Sequence, residues 1–372
     1  MTNRIYRLAE ARELRGLTVA DLAEELDITR QQVYKYESGV QRPGPEIVER
    51  IVNVLAFPYS FFSVPPIGLQ IDDRPIFFRD MKSNLDKYRR QSRRWLQLLY
   101  DRVVEYEKYV DLPEPNIPSF EGLDYKALDM EEVDTYAEKT RRFWGLGDGP
   151  ISDLTVLLEN NGIVVAHKYI QTDKLDACSL MASGRPCILL NTYQQTCSRV
   201  LMNLAHELGH LVLHQEAIIE DIENSETNRL MEEQAWRFAS AFLMPPSVFT
   251  NEVGYPSMSQ FLLLKKRWRV SIAAMIMHCA ALCIIDAERK QYFFRELSRN
   301  GQRRQEPLDN ELVIEKGTLL FDCEKTIVEH DMELKDILFQ RSCLNPNDYS
   351  ELIGAPIDYM KPEVKRPKLR LV

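Results

Sequence analysis

The strongest constraint on how this 372-residue chain folds is the sequence His206-Glu-Leu-Gly-His210, which lies inside the apolar run 201–213. Such a run predicts a buried helix, and buried imidazole and carboxylate groups require partners. Residues four apart share one face of a helix, so both imidazoles can reach one zinc ion while Glu207 lies beside a water molecule that it can deprotonate. The segment therefore predicts a zinc site of the kind that hydrolyses peptide bonds, rather than a chance pair of buried histidines.

A zinc ion needs at least one further protein ligand, normally from a second segment. His214 is a weak candidate because it lies about 80° around the helix from His206, and we expect it at the helix end or on the surface. Glu232 is a better candidate, since it falls on the apolar stripe of a second predicted helix, seven residues before Ala239. A carboxylate on a packed face requires a charge partner, whereas Glu233 points about 100° away. We predict Glu232 as the third ligand.

The two predicted helices carry a resemblance to a known family. The matching residues are Ala205-His-Glu-Leu-Gly-His-Leu-Val-Leu-His214, then Glu232-x-x-Ala-x-x-Phe-Ala-x-x-x-Leu-Met-Pro245, with further similarity at 185–191, at Arg199 and at 266–274. These segments resemble the ImmA/IrrE (DUF955) metallopeptidases of bacteria and their mobile elements. The resemblance implies that His206, His210 and Glu232 hold zinc and that Glu207 is the general base. One position departs from the family pattern, which commonly has Asn or Asp where this chain has Trp236; a polar side chain there would orient a zinc histidine.

Composition limits where the protein acts. The chain has 47 Lys and Arg against 56 Asp and Glu, a net charge of −9, so any contact with DNA must come from a local patch. No apolar run approaches 18 residues, and the amino terminus lacks the apolar core of a signal peptide, so we expect a cytoplasmic protein without a membrane partner. The seven cysteines contain no C-x-x-C pair, which favours reduced thiols over disulfides.

The sequence pattern of residues 4–55 predicts a set of short helices. Thr18 with Asp21 three residues later, and Thr29 with Gln32, each predict a capped helix start, and Gly39 predicts the end of the second of these helices. Two helices joined by a tight turn form the helix-turn-helix arrangement. The matching residues are Gly16-Leu-Thr18, Asp21-Leu-Ala23, Tyr36-Glu-Ser-Gly39 and Arg42-Pro43, and with them the segment resembles the XRE/Cro repressor family.

In such a domain the second helix would read DNA. Arg30, Gln31 and Gln32 would project toward base edges, while Tyr34 and Lys35 would reach further bases or phosphates. For any one of these side chains, plain solvation of a helix face is an equal alternative, but as a group they favour DNA. A domain of this size usually binds as a dimer. We therefore predict an operator in double-stranded DNA as one partner and a second copy of this chain as another.

The remaining segments give weaker signals. We expect a helix with a basic start at 87–94 and an apolar stripe from Trp95 to Val110, which either packs on the peptidase domain or forms a dimer interface with a patch for the DNA backbone. The β-rich run 187–191 is either an edge strand that pairs with a substrate peptide or an ordinary interior strand. Residues 308–343 mix predicted short strands with charge, and 361–370 form a basic tail.

Together these patterns predict a mainly α (α+β) chain. We expect an all-α helix-turn-helix domain at 1–60, a helical linker at 61–118, an α+β zincin-like metallopeptidase domain at 119–300 and a small carboxy-terminal region of unknown role at 301–372. The predicted function is a DNA-binding transcriptional regulator whose zinc-dependent endopeptidase domain hydrolyses a peptide bond in a regulatory protein. The alternative is a transcription factor or antitoxin-like protein whose zinc domain is a non-proteolytic sensor or partner-binding module.

Overall fold

The computed structural model describes residues 5–65, 76, 86–173 and 175–360. The chain forms two compact units. The first comprises Met1–Ile67, Arg102–Val110 and Thr318–Val372, and the second comprises Gly68–Asp101 and Asp111–Gly317. The basic tail predicted at 361–370 lies outside the described residues. The residues after 300 are thus divided between the two units.

The described elements are mostly helices, with one small sheet, which confirms the predicted fold class. The helices up to the sheet are α1 (Leu8–Leu14), α2 (Val19–Glu25), α3 (Arg30–Glu37), α4 (Pro45–Leu55), α5 (Tyr59–Ser63), α6 (Asp86–Tyr106), α7 (Met130–Phe143) and α8 (Leu154–Asn160). The strands are β1 (Val164–Lys168), β2 (Ala177–Ala182) and β3 (Arg185–Asn191). The later helices are α9 (Cys197–Leu213), α10 (Ile219–Glu223), α11 (Ser225–Leu243), α12 (Pro246–Val253), α13 (Met258–Trp268), α14 (Ile272–Ala281), α15 (Ala287–Arg299), α16 (Leu319–His330), α17 (Glu333–Ser342) and α18 (Pro346–Ile353).

The helix starts predicted in the first unit are confirmed. Thr18 accepts a hydrogen bond from the Asp21 backbone N–H at 3.1 Å, and the Asp21 carboxylate accepts one from the Thr18 N–H at 2.8 Å, so both ends of the capping box at α2 are made. Thr29 and Gln32 form the same pair at α3. Each box satisfies backbone donors that a helix start leaves without partners, and this fixes α2 and α3 in place.

The carboxy-terminal helices pack on the amino-terminal helices within the first unit. Arg15 of α1 forms a 2.7 Å ion pair with Asp348 of α18, and the Asn345 side chain donates to the Ala56 carbonyl at 2.8 Å. The prediction of short strands in residues 308–343 was wrong, because α16 and α17 occupy most of that range. At the centre of these helices, the buried Glu324 carboxylate accepts hydrogen bonds from the hydroxyl groups of two tyrosines on neighbouring helices, Tyr106 and Tyr349.

A three-stranded sheet forms one part of the second unit. Its order is β1-β3-β2, with β1 parallel and β2 antiparallel to β3. The interpretation of residues 187–191 as a substrate-binding edge was wrong, since β3 pairs on both sides and the outer strands are β1 and β2. Local sequence does not reveal which strand is central, because pairing between strands is set by distant residues.

The two faces of the sheet have different neighbours. On one face, Val165 and Ile188 belong to the same apolar core as Leu204 of α9. On the other face, the Lys168 ammonium group lies 4.1 Å from the centre of the Trp95 ring on the first part of α6. The predicted α6 stripe therefore packs on the sheet at its start, as an ordinary core helix does. In the part of the chain described here, no helix has the length and apolar character needed to cross a membrane.

Candidate metal centre

The helix α9 supplies three of the predicted site residues. Thr196 caps its start by accepting a hydrogen bond from the Arg199 N–H, and nearly every residue of the helix is buried. His206, Glu207 and His210 are 4%, 3% and 1% exposed. The prediction that this apolar run forms a buried helix is confirmed, and the polar groups at its centre must find their partners inside the protein.

A glycine sets how closely α9 approaches α11. A methyl group added at Gly209 would lie 3.2 Å from the Cα atom and from the carbonyl oxygen of Ala235, and 3.2 Å from the Phe238 ring. These distances are shorter than normal contacts between carbon atoms. Glycine therefore lets the two backbones come close enough for Glu232, one turn before Ala235 on α11, to face the histidines of α9.

His206, His210 and Glu232 bring three ligand atoms together. The two Nε2 atoms are 3.1 Å apart, His206 Nε2 lies 3.4 Å from Glu232 Oε2, and His210 Nε2 lies 3.2 Å from Glu232 Oε1. Ligands bound about 2.1 Å from a tetrahedral zinc ion lie about 3.4 Å from each other. Among the described residues these three form the cluster of His, Cys, Asp and Glu side chains that could hold a metal ion. The donor set and its spacing fit a zinc ion.

The electrostatics of Glu232 suit a ligand. Burial acts to raise the pKa of its carboxyl group, but hydrogen bonds and charge interactions with His206 and His210 outweigh burial and lower that pKa below its usual range. Glu232 is therefore an anion, which is the form that binds a cation. By contrast, Glu233 is exposed and forms a 3.2 Å ion pair with Arg229 on the same helix.

Glu207 is the buried carboxyl group beside this cluster. Burial raises its pKa to about 7, and the charge of Glu232 adds to this effect, while His210 and the Ser179 hydroxyl act in the opposite direction. In the described part of the chain, its Oε2 atom accepts no hydrogen bond. A carboxyl group with a pKa near neutrality is suited to accept and release a proton.

Two residues that the sequence did not assign to the site lie next to it. His214 lies at the end of α9, which is one of the two expected positions, and it is buried, with 1% of its surface exposed. Its Nδ1 lies 3.0 Å from His210 Nδ1, and its Nε2 lies 3.0 Å from Oε1 of the buried Gln234. The four-residue spacing from His210 was the available signal for His214, whereas Gln234 carries no signal of its own.

Trp236 of α11 is partly buried next to His206. Its ring lies against the His206 ring, with 4.2 Å between centroids and 36° between planes. An indole ring in this position restricts the His206 ring through a tilted contact between the two rings.

The residues predicted to contact DNA lie on α3, away from the core of the first unit. Arg30, Gln31, Tyr34 and Lys35 are exposed, while Val33 and Tyr36 on the opposite face are buried. The Gln32 side chain is only partly exposed, and its amide oxygen accepts a hydrogen bond from the Thr29 N–H at 3.4 Å. Gln32 therefore caps α3 in this structure, and the other four side chains form its solvent face.

Two segments of the chain match known families. Residues 8–62 match the helix-turn-helix family, and residues 158–279 match the IrrE N-terminal-like domain of the M78 peptidases. Uncharacterized HTH-type transcriptional regulators of Sinorhizobium medicae and of Rhizobium meliloti are each 39% identical over 56 residues, which is 15% of this chain and 40% of each relative. The chain thus spans well under half the length of these relatives.

A solved structure of a Mycobacterium tuberculosis transcriptional regulator is also similar in part. It is 15% identical, covers 49% of this chain and 51% of its own, and has a TM-score of 0.31. The predicted resemblance to both families is confirmed by the sequence matches.

Proposed function

Since this chain carries a helix-turn-helix domain and an IrrE N-terminal-like domain, we propose that it is a transcriptional regulator that binds DNA through α3 and hydrolyses a peptide bond at a zinc site. The observation that carries the proposal is the spacing of 3.1 to 3.4 Å among the ligand atoms of His206, His210 and Glu232, with Glu207 beside them. Zinc, when bound there, supplies a Lewis acid for the peptide carbonyl group.

The role of Glu207 follows from its position and its pKa. Its carboxylate would take a proton from the attacking water molecule and give that proton to the leaving amine, so one group serves as base and then as acid. Because burial holds its pKa near 7, both the charged and the neutral form are accessible at neutral pH. The proposed substrate is a partner regulatory protein or this chain itself.

The proposal for DNA rests on the solvent face of α3. Arg30 and Gln31 lie in the first turn, where helix-turn-helix proteins contact base edges, and Tyr34 and Lys35 lie one turn later. The net charge of −9 disfavours binding by the chain as a whole, so the affinity must come from this face and from pairing of two copies at an operator. The protein would act in the cytoplasm, where its DNA lies.

One observation favours the second candidate function, a zinc domain that senses a ligand or binds a partner without cutting it. Glu207 and the three ligands are each less than one-tenth exposed, so these side chains offer a substrate peptide little surface in this arrangement. A buried zinc ion held in this way would stabilise the fold, as structural zinc sites do. Catalysis would require the site to open.

Replacement of the base separates the two functions. The variant Glu207→Gln should keep one zinc per chain, measured by elemental analysis, and should lose proteolysis. New protein amino termini would be compared by mass spectrometry in cells that express the wild-type chain and in cells that express Glu207→Gln. Termini that depend on Glu207 support the peptidase. Identical termini together with a full zinc content would instead establish the non-proteolytic function.

A further inference from the structure

A chain of hydrogen bonds leads from the metal centre into the core of the second unit. It begins between His210 Nδ1 and His214 Nδ1, passes from His214 Nε2 to Gln234 Oε1, and ends where Gln234 Nε2 donates to the Tyr125 carbonyl oxygen at 2.6 Å. His210, His214 and Gln234 are at most 1% exposed, so solvent does not compete for these bonds. The chain starts on the side of the His210 ring opposite its ligand atom, Nε2.

The donor and the acceptor in each hydrogen bond follow from the Tyr125 carbonyl group at the end of the chain. A backbone carbonyl group only accepts, so Gln234 must present its NH₂ group to Tyr125 and its Oε1 atom to His214. Oε1 also only accepts, so the proton of His214 lies on Nε2. A neutral imidazole carries one proton, which makes His214 Nδ1 an acceptor. The proton between the two rings therefore belongs to His210 Nδ1.

With a proton kept on Nδ1, the neutral His210 ring can offer the lone pair of Nε2 to a metal ion in the cluster. That atom lies 3.2 Å from Glu232 Oε1 and 3.1 Å from His206 Nε2. The other tautomer would place a hydrogen where the metal has to bind. We propose that His214 and Gln234 are positioning residues that hold His210 in the tautomer able to bind zinc through Nε2. This inference rests on the proposed zinc site and extends it to residues that touch neither the metal nor the substrate.

His214 itself does not serve as a further ligand in this arrangement. Both of its ring nitrogens are engaged in the hydrogen bonds to His210 and Gln234. Its edge-on contact with the Tyr125 ring, at 5.2 Å between centroids, holds the ring plane. Partners that orient a zinc histidine typically contribute 10- to 100-fold to metal affinity, and we expect an effect of about this size here.

The test compares zinc affinity across matched variants, measured by competition with a chelator. His214→Phe and Gln234→Leu each break the chain and should bind zinc roughly 10- to 100-fold more weakly than the wild type. His214→Gln restores an acceptor for His210 Nδ1 and should recover much of the loss. His278→Phe is the control, because His278 is another buried histidine of the same unit that donates to the Met244 carbonyl group, at 2.9 Å. It should lower the melting temperature without weakening zinc binding.

A second readout does not depend on metal. Nitrogen NMR of the metal-free chain should show a protonated His210 Nδ1 in the wild type, and a partial loss of protonation at Nδ1 in Gln234→Leu. Wild-type zinc affinity in both chain-breaking variants, or an equal loss in His278→Phe, would overturn the positioning role. If the wild-type chain bound no zinc, the proposed function would fail, and the NMR spectrum would still decide whether Gln234 and His214 fix the tautomer.

Discussion

Trp236 lies against His206 with 4.2 Å between the ring centroids. The His206 ring is thus restrained by an aromatic surface, while the His210 ring is restrained by hydrogen bonds through His214. Contacts of different kinds therefore orient the two histidines. Loss of either contact should weaken zinc binding without removing a ligand.

Removal of the indole ring should lower zinc affinity modestly. Stacked aromatic rings contribute about 1 kcal/mol beyond area burial, so Trp236→Ala should weaken zinc binding about five-fold. The control is Trp144→Ala, since Trp144 packs edge-on against Phe242 in the same unit at 6.0 Å between centroids. Chelator competition measures both variants. An equal loss of affinity in the Trp144 variant would mean that the effect reflects general stability and not the stacking on His206.

The assignment of the third ligand can be tested with neighbouring glutamates. Glu232→Gln removes the anion that faces both histidines, so purified protein should contain far less than one zinc per chain. Glu233→Gln breaks only an exposed ion pair with Arg229 and should keep its zinc. Elemental analysis after dialysis gives the answer. Equal zinc contents in the two variants would exclude Glu232 as a ligand.

Gly209→Ala tests the close approach of α9 and α11. The added methyl group would lie 3.2 Å from the Ala235 backbone, so α11 must move outward or the fold must store strain, which costs roughly 1 to 3 kcal/mol. We expect a lower melting temperature and weaker zinc binding together. Gly149→Ala is the matched control, because nothing lies within 4 Å of a methyl group there. A Gly209 variant as stable as the control would show that the helices can separate freely.

Variants on α3 should separate the side chains that contact DNA from the side chain that caps the helix. Arg30→Ala combined with Gln31→Ala should weaken binding to the promoter DNA of this gene at least ten-fold, since good base contacts each contribute about 1 to 3 kcal/mol. Gln32→Ala should mainly lower the melting temperature, because its side chain completes the capping box with Thr29. Fluorescence anisotropy and thermal unfolding measure the two effects. Undiminished DNA binding by the double variant would refute α3 as the recognition helix.

Buried histidines should make the second unit sensitive to acid. Burial lowers the pKa of His278 to about 4, despite its hydrogen bond to the Met244 carbonyl group. As pH falls below about 6.5, His278 takes up a proton in the unfolded chain but stays neutral in the folded chain. The contribution of neutral His278 to the free energy of unfolding is therefore present above pH 6.5 and is lost as pH falls toward 4. The loss amounts to about 3 kcal/mol. His278→Gln should reduce the fall in unfolding free energy between pH 7 and pH 4, as measured with urea; an unchanged fall would contradict this.

Local signals account for the parts of the structure that the sequence predicted. The capping boxes at Thr18 and Thr29 lie within four residues, and the spacing of His206 and His210 is one helical turn. Glu232 was found because a carboxylate on an apolar stripe needs a partner. Gln234, two residues later, was not predicted. The role of a buried amide shows only in its contacts, which here are His214 and the Tyr125 carbonyl group.

The errors came from non-local structure. The composition of β3 fits both an edge strand and an interior strand. Only its pairing with β1 and β2 shows that it is the central strand. In α16 the buried face contains Leu320, Cys323 and Ile327 at helical spacing, but Glu324 is also buried on this helix and breaks the apolar pattern. Its tyrosine partners lie 25 and 218 residues away in sequence, which no local pattern can reveal.

The division of the first unit among distant segments affects how a growing chain acquires structure. Helix α3 leaves the ribosome early, whereas Asp348, the partner of Arg15, lies about 310 residues after the end of α3 at Glu37. At cellular synthesis rates of about 5 to 20 residues per second, translation of that stretch lasts roughly 15 to 60 s. During translation the helix-turn-helix segment therefore exists without its carboxy-terminal helices, and the complete unit forms only after α9 and α11 have been made.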